Sequence, residues 1–374
     1  MPKIHVQQAR LQEYTCPLVT PVTWAGTTYH RRRVLVIEIQ DETGRWGRGE
    51  AAPLPGFSSE RFEDAHHVLE QAINMLPGED VPLPTPLPFD WPASVRFAVE
   101  SALLDLVAQS YDVTRGHVLQ WVAWDFFGQH EVLPPTDAVS TACLIAAAPD
   151  TWMEETARAV QAGFDTVKLK VARWGSAEEE ADAITMLADR FPSLTFRLDA
   201  NQGWSIQEAL VFAQHVPTKR VAFIEEPLRD ASQLSVLANQ TSLPIALDET
   251  FQVYRMGAYN YLADPVALIL KPSLLGSPTE LLRIAADARM RGATPIISSS
   301  YECGPGMQTL IEMASLPLLC GGAAGLDTAR ALETMVAPAS PSWIQSSISL
   351  HDIRPSVSSD TSAVHEKAEP PASS

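Results

Sequence analysis

Three carboxylates and three lysines stand where short apolar runs end: Lys168 and Lys170 in VKLKV, Asp199 in RLDANQGW, Glu225 in FIEEPL, Asp248 in IALDET, and Lys271 in LILKPS. Taken singly, an Asp at a strand end is commonly a helix N-cap and a Lys is commonly solvated. Taken together, with run ends at Lys170, Asp199, Glu225, Asp248, Lys271 and Ser298 spaced 23 to 29 residues apart, they mark one βα unit after another. Capping does not account for that register.

Carboxylates that converge repel one another unless a cation lies among them. A hard divalent ion with oxygen ligands suits Asp199, Glu225 and Asp248, and Mg²⁺ comes first because it accepts a few carboxylates and keeps positions for water and substrate. Zinc fits less well, since no His or Cys stands in these motifs. Strand alternation places Lys168 and Lys170 on one face. Neighbouring ammonium groups and burial both lower a lysine's proton affinity, so the pair is expected to serve as a base. A carboxylate substrate held through its oxygens on the metal would have an acidified α-proton, and its removal would leave an enediolate.

The elements that must position these groups follow from the apolar runs Ala138 to Leu144, Thr166 to Val171, Thr195 to Asp199, Val221 to Glu225, Ile245 to Asp248, Ala267 to Lys271, and Thr294 to Ser298. Seven or eight βα units of near-constant length predict a parallel sheet closed as a (β/α)7β TIM-like barrel, over residues 126–330. No GxGxxG follows a strand, which removes the main sign of a dinucleotide fold. Residues 1–125 read as an α+β capping domain. Leu35, Ile37 and Ile39 alternate before the turn Asp41-Glu42-Thr43-Gly44 and a returning strand at Trp46 to Glu50. Helical spacing then recurs over Phe62 to Leu76 and Val95 to Leu106. Pro17 to Thr28 and Ala51 to Ser59 read as loops, either connectors or lids. After Gly325-Leu326-Asp327-Thr328, a last strand end, residues 331–353 are expected to return to the capping domain, and 354–374, rich in Ser and Pro, to be disordered.

Composition narrows the partners. The 374 residues are 46% hydrophobic and 19% charged, enough for a large core, and the formal net charge of −18 opposes nucleic-acid binding. The one basic cluster, Arg31 to Arg33, reads as a solvated strand entrance, with an anion-contacting role as the alternative. Cys16, Cys143, Cys303 and Cys320 form no metal pattern and read as reduced thiols. With no apolar run long enough to span a membrane, a cytoplasmic enzyme acting on a small-molecule carboxylate is expected. Nothing in the residues signals an oligomeric state.

In this order KLK, RLDANQGW, FIEEP, ALDE and LKP resemble the muconate-lactonizing branch of the enolase superfamily, from about residue 30 to 335. A lysine base with Mg²⁺ is the arrangement of such sites. GEAAPLPGFSSE, RLDAN, ISSSYE and GLDT resemble the members of that branch that dehydrate a cyclohexadiene carboxylate in menaquinone biosynthesis. The resemblance implies that Asp199, Glu225 and Asp248 hold Mg²⁺. It also implies that Lys170 takes the α-proton and then assists departure of hydroxide, with Lys168 tuning it and Lys271 on the opposite face. Ser298, Ser299 and Ser300, the backbone donors of Gly304 and Gly306, and Arg197 and Asn201 would contact substrate. A capping turn is the plain alternative for the serines. Tyr301, Cys303, Gly304 and Pro305 depart from the pattern.

A lysine on each face also suits an N-succinylamino acid racemase or dipeptide epimerase. A dipeptide epimerase would be expected to offer an Asp-x-Asp pair near the last strand, where only Asp327 stands here. A non-catalytic barrel would be free to lose a ligand or lysine, and none is missing.

Overall fold

The computed structural model describes residues 3–24, 26–128, 132–337 and 345–353; the Ser/Pro segment 354–374 lies outside them. The N-terminal part is a four-stranded antiparallel sheet in the order β3-β2-β1-β4, with β1 Lys3–Trp24, β2 Thr27–Asp41, β3 Trp46–Ala51 and β4 Asp80–Pro82. Leu35, Ile37 and Ile39 are fully buried, as their alternation requires. The β2–β3 turn closes because the Asp41 carboxylate accepts from the backbone amides of Thr43 and Arg45, while Gly44 supplies a positive φ of 86°. Helix Ala93–Tyr111 lies directly on β3. A Cβ at Gly49 would collide with the Ala98 carbonyl, so that close approach needs glycine.

Pro17 to Thr28 is not the loop its proline and glycine suggested. β1 and β2 pair as far as Trp24 opposite Thr27, with a register irregularity between Pro17 and Val22 that accommodates the proline. The segment is the tip of a long hairpin.

A seven-stranded sheet follows: β6 Cys143–Ile145, β7 Thr166–Lys170, β8 Thr195–Asp199, β9 Val221–Glu225, β10 Ile245–Leu247, β11 Ala267–Leu270 and β12 Thr294–Ile297, in chain order and all parallel. The run Ala138 to Leu144 is split. Its first half, β5 Ala138–Ser140, pairs antiparallel with β13 Ser347–Ser349, and only its second half joins the parallel sheet. Ala324 bridges to Thr141 and Gly325 to Ser298, so one segment touches both edges of the sheet. Leu332 bridges to Leu18 of the N-terminal sheet.

Helices between these strands start where local chemistry dictates. Ser176, Ser205 and Ser277 each form a capping box with the Glu three residues on, and Pro149, Pro278 and Pro305 occupy first turns. Strand residues alternate accordingly. Val167, Leu169, Phe196, Leu198 and Ile224 pack in the main core with the helices, whereas Phe223, Ala246, Ala267, Ile269 and Ile296 form a separate small cluster. Lys168, Lys170, Arg197, Asp199 and Glu225 share the strand face of that second cluster.

Candidate active site

Strand register brings the sequence-distant groups together. Lys170 is opposite Asp199, Asp199 opposite Glu225, and one layer below Lys168 is opposite Arg197 and Arg197 opposite Phe223. Lys168 Nζ lies 2.8 Å from Asp199 Oδ2 and 2.5 Å from Glu225 Oε2; Lys170 Nζ donates to Asp199 Oδ2 at 2.6 Å and to Asn201 Oδ1 at 2.7 Å. Across the site Lys271 Nζ donates to Asp248 Oδ2 at 2.6 Å. The three carboxylates are no more than 2% exposed.

The arrangement corrects the expectation that the two neighbouring ammonium groups lower each other's proton affinity alike. Burial and the charge of Lys168 lower the proton affinity of Lys170 against the opposing pull of Asp199. Lys168 goes the other way: burial is outweighed by Asp199 and Glu225, which hold it firmly as an ammonium. Lys271 is likewise held protonated by Asp248 and Glu249 against the cost of burial. The two lysines of VKLKV therefore stand in unequal surroundings.

Among the described residues no three His, Cys, Asp or Glu side chains are gathered tightly enough to ligate an ion as they stand. Ammonium groups sit between the carboxylates instead. The donor chemistry still suits a hard cation, because Asp199, Glu225 and Asp248 offer only oxygens. Burial and mutual repulsion raise the proton affinity of Glu225 and Asp248, the latter to about 6. A cation among them would relieve both costs.

Lys168, Lys170, Asp199, Glu225 and Lys271 line a cavity of about 220 Å³ together with Trp24, Leu54, Phe57, Arg173, Arg197, Asn201, Ser298 to Tyr301, Asp327 and Thr328, and Asp248 stands behind that wall, bonded to Lys271. Non-glycine residues with positive φ cluster at the strand ends around it: Ala172, Asn201, Gln202, Glu226 and Tyr301. Asn201 joins three charges, accepting from Lys170 and from Arg173 at 2.8 Å and donating to Glu249 at 3.0 Å. Arg197 donates to the Ala323 carbonyl and leaves its buried Nε without a partner.

Of the residues expected to receive the substrate side chain, the serines reach the cavity and the glycines do not. Ser298 and Ser299 donate to the Gly325 carbonyl at 3.2 and 3.0 Å, and Ser299 also meets Thr328 at 2.6 Å; the buried Ser300 hydroxyl has no partner. The Gly306 amide is spent on Glu50 Oε2 at 3.0 Å, and Gly304 is packed against Val336. The Gly306 amide is thus not free for substrate, and neither glycine is among the residues that line the cavity. Glu50 also accepts from the Cys303 amide, so its carboxylate caps the helix that begins at Pro305.

Sequence reasoning missed Arg173 and Glu249, whose only signal was their nearness to the strand-end motifs, and it misread Arg32. That guanidinium is 3% exposed, not solvated; it donates to the carbonyls of Ala52, Pro53, Ser300 and Tyr301.

Residues 152–351 match the family model described as enolase C-terminal domain-like, and residues 6–106 match the MenC N-terminal domain. The o-succinylbenzoate synthase of Escherichia coli is 31% identical over 353 residues, covering 93% of this chain and 98% of its own. That of Klebsiella pneumoniae is 30% identical over 340 residues, covering 88% and 94%. The chain belongs to the o-succinylbenzoate synthase family. Its fold is also that of a dipeptide epimerase from Enterococcus faecalis solved with Mg and the dipeptide L-Leu-L-Tyr, at 20% identity and a TM-score of 0.73, covering 90% of this chain and 94% of that one.

Within the synthase family frame, the state of Asp327 is informative. It accepts from the Leu144 amide at 2.6 Å and is paired with Arg330, which also reaches Cys143 Sγ. An acid so engaged is not free to hold a substrate ammonium.

Proposed function

We propose that this protein is an o-succinylbenzoate synthase, eliminating water from 2-succinyl-6-hydroxy-2,4-cyclohexadiene-1-carboxylate in menaquinone biosynthesis. The observation that carries the reading is the engagement of Asp327 with the Leu144 amide and with Arg330, which leaves it unable to hold the α-ammonium of a dipeptide, in a chain 31% identical to a synthase over 93% of its length. A dehydration needs one lysine that both takes and returns a proton, and Lys170, whose Nζ is held by Asp199 and Asn201, is the candidate.

The parallel sheet with its bridging segment at Ala324 and Gly325 is taken as a (β/α)7β barrel, whose strand ends make one face. Asp199, Glu225 and Asp248 would hold Mg²⁺, as the epimerase fold neighbour is named with Mg. When bound, the ion would acidify the α-proton of a carboxylate held on it and stabilise the charge released. Lys170 Nζ, oriented by Asp199 and Asn201, removes that proton and then delivers one to the departing hydroxyl on the same ring face. Lys271, kept cationic by Asp248, offers positive charge from the other side. Arg197 lies at the cavity floor, and Ser298 to Ser300 form the wall for the succinyl arm. Incubation of the protein with the cyclohexadiene substrate, followed by detection of the aromatic product, tests the assignment; no product at saturating Mg²⁺ would defeat it.

Two segments of the cap supply lining residues, Val22 to Trp24 at the hairpin tip and Leu54 to Phe57. Saturating product should slow amide hydrogen exchange in both, whereas unchanged exchange would mean that they are static walls.

A further inference from the structure

Tyr301 is a bulky residue at φ 61°, a left-handed conformation that survives only where the surroundings impose it. Several contacts do so here. Its carbonyl accepts from Arg32 Nε at 3.2 Å and from Cys303 Sγ at 3.5 Å. Its ring stands edge-on to Trp24, centroids 4.9 Å apart and planes at 68°, and Trp24 in turn lies 5.0 Å from Tyr29. The same Arg32 sits 5.9 Å from the Trp24 ring and is bonded to Ala52 and to Pro53 at 2.6 Å. One buried guanidinium thus ties the cap to the segment that carries Tyr301. Trp24, Phe57 and Tyr301 line the cavity that holds Lys170 and Lys271.

An aromatic wall fixed in this way loses no side-chain freedom when substrate arrives. A cyclohexadiene ring, whose four diene carbons lie nearly in one plane, brings no rotors of its own and presents that face to the wall. A flexible acyclic N-acylamino acid must freeze several rotors against the same surface. We propose that Tyr301 is a specificity-determining residue whose fixed ring, together with Trp24, favours a cyclic diene carboxylate over acyclic N-acylamino acids, and that Arg32 positions it. The proposal rests on the synthase reading above.

The test compares KM for the cyclohexadiene substrate with the inhibition constant of an N-succinylamino acid in the same dehydration assay. Tyr301→Gly suits the left-handed backbone and removes the whole side chain, ring included. It should raise KM about 10-fold or more while leaving the inhibition constant little changed, so that their ratio shifts. Tyr301→Phe keeps the wall and should leave the ratio within about twofold of wild type. Arg32→Lys keeps a charge but cannot span four carbonyls, so it should shift the ratio in the same direction alone and add nothing in the Tyr301→Gly background. A purely structural role for Arg32 would lower thermal stability without moving the ratio. Wild-type enzyme that forms no aromatic product would overturn the synthase reading, and this proposal with it. An active wild type whose ratio is unchanged in folded Tyr301→Gly would overturn the role of Tyr301 alone.

Discussion

In Lys170→Ala, solvent exchange of the substrate α-proton and formation of the aromatic product should both fall by about 10²- to 10⁴-fold, the contribution expected of a positioned acid–base group. The variant is expected to fold, because Asp199 keeps its bond to Lys168 when Lys170 is truncated. Lys271 calls for a different substitution. In the metal-free protein its truncation would leave the buried Asp248 carboxylate without its ion-pair partner, at a cost of about 3–5 kcal/mol, and so would confuse chemistry with stability. Lys271→Arg keeps the charge but exchanges no proton at ordinary pH. It should retain measurable dehydration while abolishing any racemisation of N-succinyl amino acids. Isotope exchange and product formation measured on both variants decide the matter: complete loss of dehydration in folded, metal-binding Lys271→Arg would end the one-base mechanism.

Removal of divalent metal should abolish activity, and Mg²⁺ should restore it. Calorimetric titration of Mg²⁺ gives a readout independent of turnover. Asp248→Asn should weaken that binding by at least about 100-fold, since loss of a direct ligand should cost no less than loss of the outer partners that orient one. Lys271 would lose its carboxylate partner at the same time, so turnover should fall with affinity. Unaltered Mg²⁺ affinity in Asp248→Asn would remove that residue from the ligand set. Full activity in chelator-treated protein would remove the metal from the reaction altogether.

The strand-end residues were legible without coordinates because their signal is periodic. Apolar runs one βα unit apart specify parallel strands, and alternation within VKLKV specifies that Lys168 and Lys170 share a face. The strands then lie as those runs predicted to within a residue or so, except at Ala138 to Leu144, where a short run could not reveal that its two halves pair with different partners. The hairpin tip was illegible for a related reason. Proline and glycine mark turns on average, yet an irregular register lets a strand carry Pro17 and Pro21 without ending.

What the sequence by itself determined is the identity of the charged groups and the face on which each stands. Their protonation was decided only in three dimensions. Lys168 and Lys170 are chemically the same and two residues apart, and what separates them is that one touches two carboxylates and the other a single carboxylate and an amide. The fate of the backbone donors was decided there too. Glu50 takes the amides of Cys303 and Gly306 from more than 250 positions away, and no local pattern encodes so distant a partner. Arg32 follows the same rule. Beside Arg31 and Arg33 it reads as one member of a solvated cluster, and it is buried because four carbonyls from two remote segments converge on its five donors. Local periodicity records which way a side chain points; partners far along the chain decide what it meets there.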